Sequence, residues 1–433
     1  MNVIPASCVK GQIALPGDKS VSHRAAILSA MASGKTRIGN FSPSADCSST
    51  LACLKALGVE VHREGATVTL DGVGKTGFRQ PTSPLDCGNS GTTMRLLSGV
   101  LAGQNFDSVL TGDDSLRRRP MGRVIRPLNS MGATIDASDE KAPLFIRGRH
   151  PLRAALITPE AASAQLKSAV LIAGLNSDGT TCVIESTPTR DHTERMLAWL
   201  GVDVTGFAAG GRSRLCVSGG AELSGRDIVV PSDISAATFF MVAAACLPGS
   251  SVVVNGVGVN GSRRGILDLF RRFGANIELT NEREVCNEPV ADIRVTGGLR
   301  NNERSSNLIS GSEIAGIIDE IPALAVFGTQ IDGGIEVRDA AELRIKESDR
   351  IKTVVENLRR MGAEVEEFSD GFSVARSHLK GAHVFPEADH RIAMAFAVAG
   401  LLADGVTTIH EPECCDVSFP GFFEVLESVA DRN

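Results

Sequence analysis

The sequence contains no tyrosine and a single tryptophan, and its aromatic share is only 4%. Nucleic-acid binders that rely on stacking need such rings, so that class is disfavoured at once. Long apolar runs are also missing. Ile234–Leu247 and Ile392–Ala403 are the longest, and both fall short of the roughly 18 residues that span a bilayer. Met1 to Gln12 has no apolar segment of the secretory type, so a cytoplasmic location is expected. The ten cysteines include no C-x-x-C pair. That excludes a disulfide scaffold and predicts reduced, mostly buried thiols. Cys414-Cys415 near His410 and Asp416 suggests a metal, but adjacent cysteines are poorly placed for the usual zinc knuckle. Nor is there an excess of positive charge. Lys and Arg number 44 against 51 Asp and Glu, a net charge of −7. This disfavours polyanion partners and anionic membranes but leaves room for a small basic pocket.

What is present is a repeat. The chain has 433 residues, 42% of them hydrophobic, enough for two or three domains with large cores. Ala/Gly/Leu-rich runs without a polar face begin near Lys19, Asn89, Ser163, Ser232, Asp319 and Asp389. Helices that are apolar nearly all round should be buried. About 40 residues after each of the first five comes an amphipathic run that ends in glycine: Gly58, Gly132, Gly201, Gly274 and Gly362. Glycine just past the last turn is a helix stop, and alternating, strand-like residues follow. The sixth copy, PGFFEVLESVA, lacks the glycine because the chain ends there. Glu64-Gly65-Ala66 and Gly210-Gly211 read as hairpin turns. The chain therefore reads as a mixed α/β fold of six units, each about 72 residues long.

Helix N-termini carry free N–H groups and suit anions, so the six starts deserve close reading. Lys19, Ser20 and Arg24 open the first, where cations are unfavourable unless an anion sits there. Cys87-Gly88-Asn89-Ser90-Gly91 opens the second, with small residues that let backbone amides approach a ligand. Ser163, Ala164, Gln165 and Lys167 open the third, and Ser186 and Arg190 follow. Asp319 and Glu320 interrupt an apolar run at the fifth, where Asp319 is a plausible N-cap before Pro322. Lys346 and Arg350 are spaced to share a helix face, with Glu347 beside Arg350. Asp389-His390-Arg391 opens the sixth. Gly34-Lys35-Thr36 looks like the end of a P-loop, but the glycine required five residues earlier is Ser29.

At these positions the chain closely resembles the 5-enolpyruvylshikimate-3-phosphate synthase family, also called 3-phosphoshikimate 1-carboxyvinyltransferases. The stretches that carry the resemblance are LPGDKSVSHRA (15–25), GNSGTTMRL (88–96), RRRPM (117–121), SAQLKSA (163–169), PTRDHTERM (188–196), IDEIPALAV (318–326), LRIKESDRI (343–351) and ADHRIAMA (388–395). The resemblance implies a two-domain inside-out α/β barrel of the enolpyruvyl transferase type, with three βαβαββ units per domain. It implies one domain of residues 1–18 and 232–433 and another of 19–231. The hinges would lie near 17–19 and 230–233, and substrates would bind in the cleft. The implied reaction moves the enolpyruvyl group of phosphoenolpyruvate to the 5-hydroxyl of shikimate 3-phosphate, with no cofactor and no metal. The implied enzyme is a monomer, with no nucleic-acid or membrane partner, and is inhibited by glyphosate.

By position, the resemblance gives each residue a role. Lys19 and Gln165 would touch both substrates. Ser20 and Arg24 would hold the shikimate carboxylate, and Ser163, Ala164, Ser186 and Lys346 its phosphate. Arg190 would lie over the ring. Gly91, Arg119, Arg350 and Arg391 would hold phosphoenolpyruvate, with Arg95 in support. Asp319 would accept the proton of the attacking hydroxyl, and Glu347 would move the proton of the methylene carbon. Together these cations outnumber the carboxylates Asp319 and Glu347, so a basic pocket is expected inside an acidic protein. Two positions depart from the family pattern. Asp416-Val417-Ser418-Phe419 lacks a lysine that many members carry, and Ala164 replaces a serine. The sister UDP-N-acetylglucosamine enolpyruvyl transferase would need a cysteine within Thr111–Met121, which has none. A non-catalytic anion-binding protein of the same fold is the other alternative, although Lys19, Asp319 and Glu347 are all present.

Overall fold

The computed structural model describes residues 1–209, 212–300 and 307–432. The chain forms two compact units: Gly17–Pro231 with Glu284–Glu288, and Met1–Pro16 with Ser232–Arg283 and Pro289–Asn433.

The helices described in the Gly17–Pro231 unit are α1 (Lys19–Met31), α2 (Ala45–Ala56), α3 (Gly91–Ala102), α4 (Asp114–Arg118), α5 (Gly122–Ser130), α6 (Ala164–Gly174) and α7 (His192–Trp199). Of these, α1, α3 and α6 are the apolar runs, and they are buried on all sides: every residue from Val21 to Met31 is shielded from solvent. Each Leu or Ile sequestered this way contributes about 1.5–3 kcal/mol. The packing of α3 on α6 needs Gly99, because a Cβ there would stand 2.3 Å from the carbonyl oxygen of Ala169.

In the second unit the described helices are α8 (Ile234–Cys246), α9 (Gly265–Arg272), α10 (Ser312–Ile317), α11 (Ile321–Gly328), α12 (Arg350–Arg360), α13 (His390–Leu402) and α14 (Phe422–Val429). Here α8, α11 and α13 are the buried apolar runs. Phe239 packs edge-on against Phe422 with ring centres 5.8 Å apart, and Phe270 lies 4.8 Å from Phe327.

Around the buried helices stand six separate sheets, and their pairing repeats. A short edge strand runs parallel to a central one, and antiparallel strands follow. Thus Leu156–Ile157 pairs parallel with Thr180–Glu185, which pairs antiparallel with Arg212–Ser218, then Thr205–Ala209. Leu85–Asp86, Asp107–Thr111, Leu144–Arg147 and Thr134–Asp136 repeat the scheme. So do Leu308–Ile309, Ile335–Val337, Gly371–Val374 and Val365–Phe368. This is six βαβαββ copies, three per unit, with helices inside and sheets outside. Among the described residues the sheets do not join into one closed barrel.

Two departures from strict repetition explain how the chain serves both units. The strand before α1, Cys8–Ala14, pairs parallel with Ser251–Gly258, the strand after α8. The strand before α8, Ile228–Val229, pairs parallel with Ser33–Gly39, the strand after α1. The two leading strands are exchanged. In the sixth copy, Asn2–Val3 supplies the antiparallel partner of Thr407–Ile409. The chain's last described strand, Ala430–Asp431, instead joins Cys8–Val9.

The glycine stops fall where expected. α2, α5, α7, α9 and α12 are each followed by the predicted glycine, with φ between +84° and +101°. A side chain is strained there, which is why glycine recurs. Glu64 pairs with Thr67 across the Gly65-Ala66 turn; the turn expected at Gly210-Gly211 lies outside the described residues. One expectation is corrected. The thiols are not all free, because Cys182 and Cys216 stand opposite each other in the sheet and form a disulfide, while eight cysteines remain unpaired. Their Cα atoms are 4.1 Å apart. No helix among the described residues is long and apolar enough to cross a membrane.

Candidate active site

Side-chain caps fix where the buried helices begin. Asp18 accepts from the N–H of Val21 at 2.9 Å, Ser90 from Thr93 at 3.1 Å and Ser163 from Leu166 at 3.3 Å. Asp389 caps α13 from the second unit, accepting from Arg391 N–H at 2.9 Å. These caps set Lys19, Ser20, Gly91, Ala164, Gln165 and Arg391 in the first turns, where N–H groups and the helix dipole favour anions.

In the Gly17–Pro231 unit, three groups form. Lys19 Nζ lies 3.0 Å from Asp46 Oδ2 on α2. Arg24 is buried and donates to Thr193 Oγ1 at 2.8 Å, to the carbonyl of Ser20 at 2.9 Å and to Ser168 Oγ at 3.0 Å. Its pKa falls to about 10, mainly through burial, with Glu194 opposing and the charge of Arg190 adding to the fall. Behind it Lys167 is fully buried and bridges Glu185 at 3.1 Å and Glu194 at 2.7 Å. Burial also raises the pKa of Glu194.

The third group surrounds Gly91. Arg95 Nη1 donates to Gln165 Oε1 at 2.7 Å, and Gln165 Nε2 donates to Thr92 Oγ1 at 2.8 Å. Arg119 Nη2 donates to Asn89 Oδ1 at 2.7 Å. A Cβ on Gly91 would stand 2.7 Å from Arg95 Nη1 and 3.5 Å from Arg119 Nη1, so two guanidinium groups converge on this residue. Ser186 is exposed just after its strand.

In the other unit the centre is Arg350, buried at the first position of α12. Its Nε donates to Asp389 Oδ2 at 2.7 Å and its Nη2 to Glu347 Oε2 at 2.6 Å. Its Nη1 lies 3.6 Å from Asp319 Oδ1 but makes no hydrogen bond among the described residues. Burial alone would lower its pKa; Asp389, then Glu347 and Asp319, hold it above the ordinary arginine value. Arg391 Nη1 donates to the carbonyl oxygen of Asp319 at 2.9 Å, and its Nη2 is 3.9 Å from the Asp319 carboxylate. Asp319, Glu347, Arg350 and Arg391 therefore form one cluster.

Two local expectations are corrected. Lys346 does not share a helix face with Arg350. Asp349 caps α12 by accepting from Lys352 N–H at 3.0 Å, so the helix starts after Lys346, which pairs with Glu342 at 3.3 Å. Asp319 is not the cap of α11. That position is Glu320, whose side chain makes no cap bond, because the chain turns one residue later. Asp389, Asp46, Thr193 and Ser168 join the expected residues through direct contacts. Asp389 has a signal in the sequence, a carboxylate directly ahead of cations at a helix start. Asp46 has none, since its partner is 27 residues away in sequence. Among the described residues no group of three or more His, Cys, Asp or Glu could hold a metal.

This arrangement sets cations at helix starts, for anions, beside two carboxylates suited to proton transfer. Comparison with known proteins agrees. The family model described as EPSP synthase (3-phosphoshikimate 1-carboxyvinyltransferase) matches residues 3–426. A 3-phosphoshikimate 1-carboxyvinyltransferase of Geobacter sp. (strain M21) is 48% identical over 433 residues, 99% of each chain. One from Pelotomaculum thermopropionicum is 51% identical over 97% of this chain and 96% of its own. The solved EPSP synthase from Acinetobacter baumannii superposes with a TM-score of 0.87 at 40% identity, covering 100% of this chain and 98% of the other. The chain belongs to the EPSP synthase (3-phosphoshikimate 1-carboxyvinyltransferase) family.

Proposed function

We propose that this protein transfers the enolpyruvyl group of phosphoenolpyruvate to the 5-hydroxyl of shikimate 3-phosphate and releases phosphate. The observation that carries the reading is Arg350, a buried guanidinium flanked by Asp319 and Glu347 with one nitrogen free of hydrogen bonds among the described residues. A cation there suits an anionic donor, and the flanking carboxylates suit the two proton transfers that the reaction needs.

Asp319 takes the proton of the 5-hydroxyl as its oxygen bonds to C2 of phosphoenolpyruvate. Glu347 gives a proton to the methylene carbon, which yields a tetrahedral intermediate. Glu347 then removes a proton from the resulting methyl group, the C2–O bond to phosphate breaks as Asp319 gives its proton to the departing phosphate, and the enol ether forms. Lys19 and Gln165 serve both substrates. Ser20 and Arg24 hold the shikimate carboxylate. Ser163, the backbone of Ala164, Ser186 and Lys346 hold its phosphate, and Arg190 covers the ring. Gly91, Arg119, Arg350 and Arg391 hold phosphoenolpyruvate, and Arg95 supports them through Gln165. The segment of the departure, Asp416–Ser418, brings no lysine, so Arg119 and Lys19 bear more of the phosphate charge.

The expected set comes from a single chain, so a monomer suffices. Both substrates are multiply charged and do not cross bilayers unaided, which supports a cytoplasmic enzyme. The test is phosphate release from the two substrates together, in EDTA and without added metal. Release that needs both substrates supports the reading; no release with folded protein refutes it.

A further inference from the structure

Glu320 follows directly after Asp319, is only 2% exposed, and has no part in the reaction described above. Its side chain makes no cap bond to the helix it precedes. Arg263, in the turn before α9 and also buried, donates from Nη2 to Glu320 Oε1 at 3.1 Å and to Ser235 Oγ at 2.6 Å. Ser235, in the first turn of α8, donates its hydroxyl to the same carboxylate oxygen. The three side chains close a buried triangle that joins the starts of α8 and α11 to the turn before α9.

A buried ion pair is weak evidence for stability, because apolar residues of similar volume often do as well. Its effect on the neighbouring peptide is more specific. The carbonyl of Asp319 accepts from Arg391 Nη1 at 2.9 Å, and the N–H of Glu320 donates to the carbonyl of Ile317 at 2.9 Å. The peptide between Asp319 and Glu320 is thus bonded at both polar groups, and the next side chain is clamped. A general base must sit within about 0.5 Å of its productive position, and a 1 Å error can cost about 100-fold in rate.

We propose that Glu320 is a positioning residue for Asp319, clamped by Arg263 and Ser235. This rests on reading Asp319 as the base, and the experiment separates the two. Glu320→Gln, Ser235→Ala, Asp319→Asn and the double variant Glu320→Gln/Asp319→Asn are compared for kcat, for both KM values and for folding by circular dichroism. Glu320→Gln should lower kcat about 10- to 100-fold while both KM values stay within about twofold. Because Glu320 acts through Asp319, the double variant should be no slower than Asp319→Asn alone. Wild-type kcat in folded Glu320→Gln overturns the positioning role, as does a loss that multiplies in the double variant. Should Glu320→Gln fail to fold, Ser235→Ala carries the same comparison: a lower kcat at unchanged KM supports the clamp, and wild-type kcat overturns it. Full turnover in Asp319→Asn instead overturns the reading of the base, whatever Glu320 does.

Discussion

Lys19 Nζ stands 3.0 Å from Asp46 Oδ2, with both side chains mostly buried. Lys19 is the first residue of α1, where the helix dipole disfavours a cation. Asp46 offsets that cost and fixes the direction of the ammonium. Lys19→Ala should therefore lose several orders of magnitude in kcat/KM while remaining folded. Asp46→Asn keeps the cation but loses a charge-assisted bond of about 1.5–3 kcal/mol, so kcat/KM should fall about 10- to 100-fold. Steady-state kinetics with each substrate varied will check both; wild-type values for Asp46→Asn would show that the pair does not orient Lys19.

The repeat was legible because its signals are local. A helix without a polar face, a glycine stop and an alternating tail can each be read from a dozen residues, and α1, α3, α6, α8, α11 and α13 all lie where those signals put them. The exchange of the strands Cys8–Ala14 and Ile228–Val229 carries no local signal, since their partners lie far away in sequence. The site was legible in the same degree. Cations at helix starts are visible as charges where the dipole opposes them. Asp46 and Thr193 reach Lys19 and Arg24 from distant segments, and only the fold brings them there. The i, i+4 spacing of Lys346 and Arg350 is not a helical pair, because the Asp349 cap starts the helix between them.

Gly91 is the point where Arg95 and Arg119 converge. A methyl group there would meet Arg95 Nη1 at 2.7 Å, too close to be accepted without movement. The guanidinium is the far end of a flexible side chain, so Gly91→Ala should fold normally. Its cost should fall on the donor substrate: KM for phosphoenolpyruvate should rise about tenfold, the equivalent of one weakened charge-assisted contact. KM for shikimate 3-phosphate should change little. Inhibition by glyphosate should weaken in parallel. Equal increases in both KM values would place Gly91 outside the donor subsite.

His23 is fully buried on α1, with Nδ1 2.7 Å from Thr50 Oγ1. A hydroxyl chain continues from there: Thr50 lies 2.6 Å from Thr93 Oγ1, which donates to the cap residue Ser90 at 2.8 Å. Burial, then the charges of Lys19 and Arg24, hold its pKa well below the ordinary histidine value of 6.5, with Asp18 opposing. In the unfolded chain His23 takes up a proton as pH falls through about 6.5, whereas in the folded chain it does not. Its contribution is therefore complete above that pH and is lost as pH falls below it, at about 1.4 kcal/mol per unit. Urea unfolding at pH 7, 6 and 5 should show the wild-type protein losing this much relative to His23→Asn. A pH-independent difference would mean that His23 titrates alike in the folded and unfolded chains.

Arg350 compensates three carboxylates at once, through Asp389 at 2.7 Å, Glu347 at 2.6 Å and Asp319 at 3.6 Å. Arg350→Met would leave these charges buried or half-buried without their cation, a change that typically costs about 3–5 kcal/mol. At roughly 2–4 °C per kcal/mol, Tm should fall by about 10 °C. Arg350→Lys separates charge from geometry. A lysine supplies the same charge, but its three donors radiate from one nitrogen and lack the planar fork that spans Asp389 and Glu347 while facing outward. The lysine variant should therefore recover much of the lost Tm but little of the activity, with kcat/KM for phosphoenolpyruvate at least about 100-fold below wild type. Recovery of both quantities together would mean that Arg350 acts as a charge alone and that its fork geometry has no part in holding the donor.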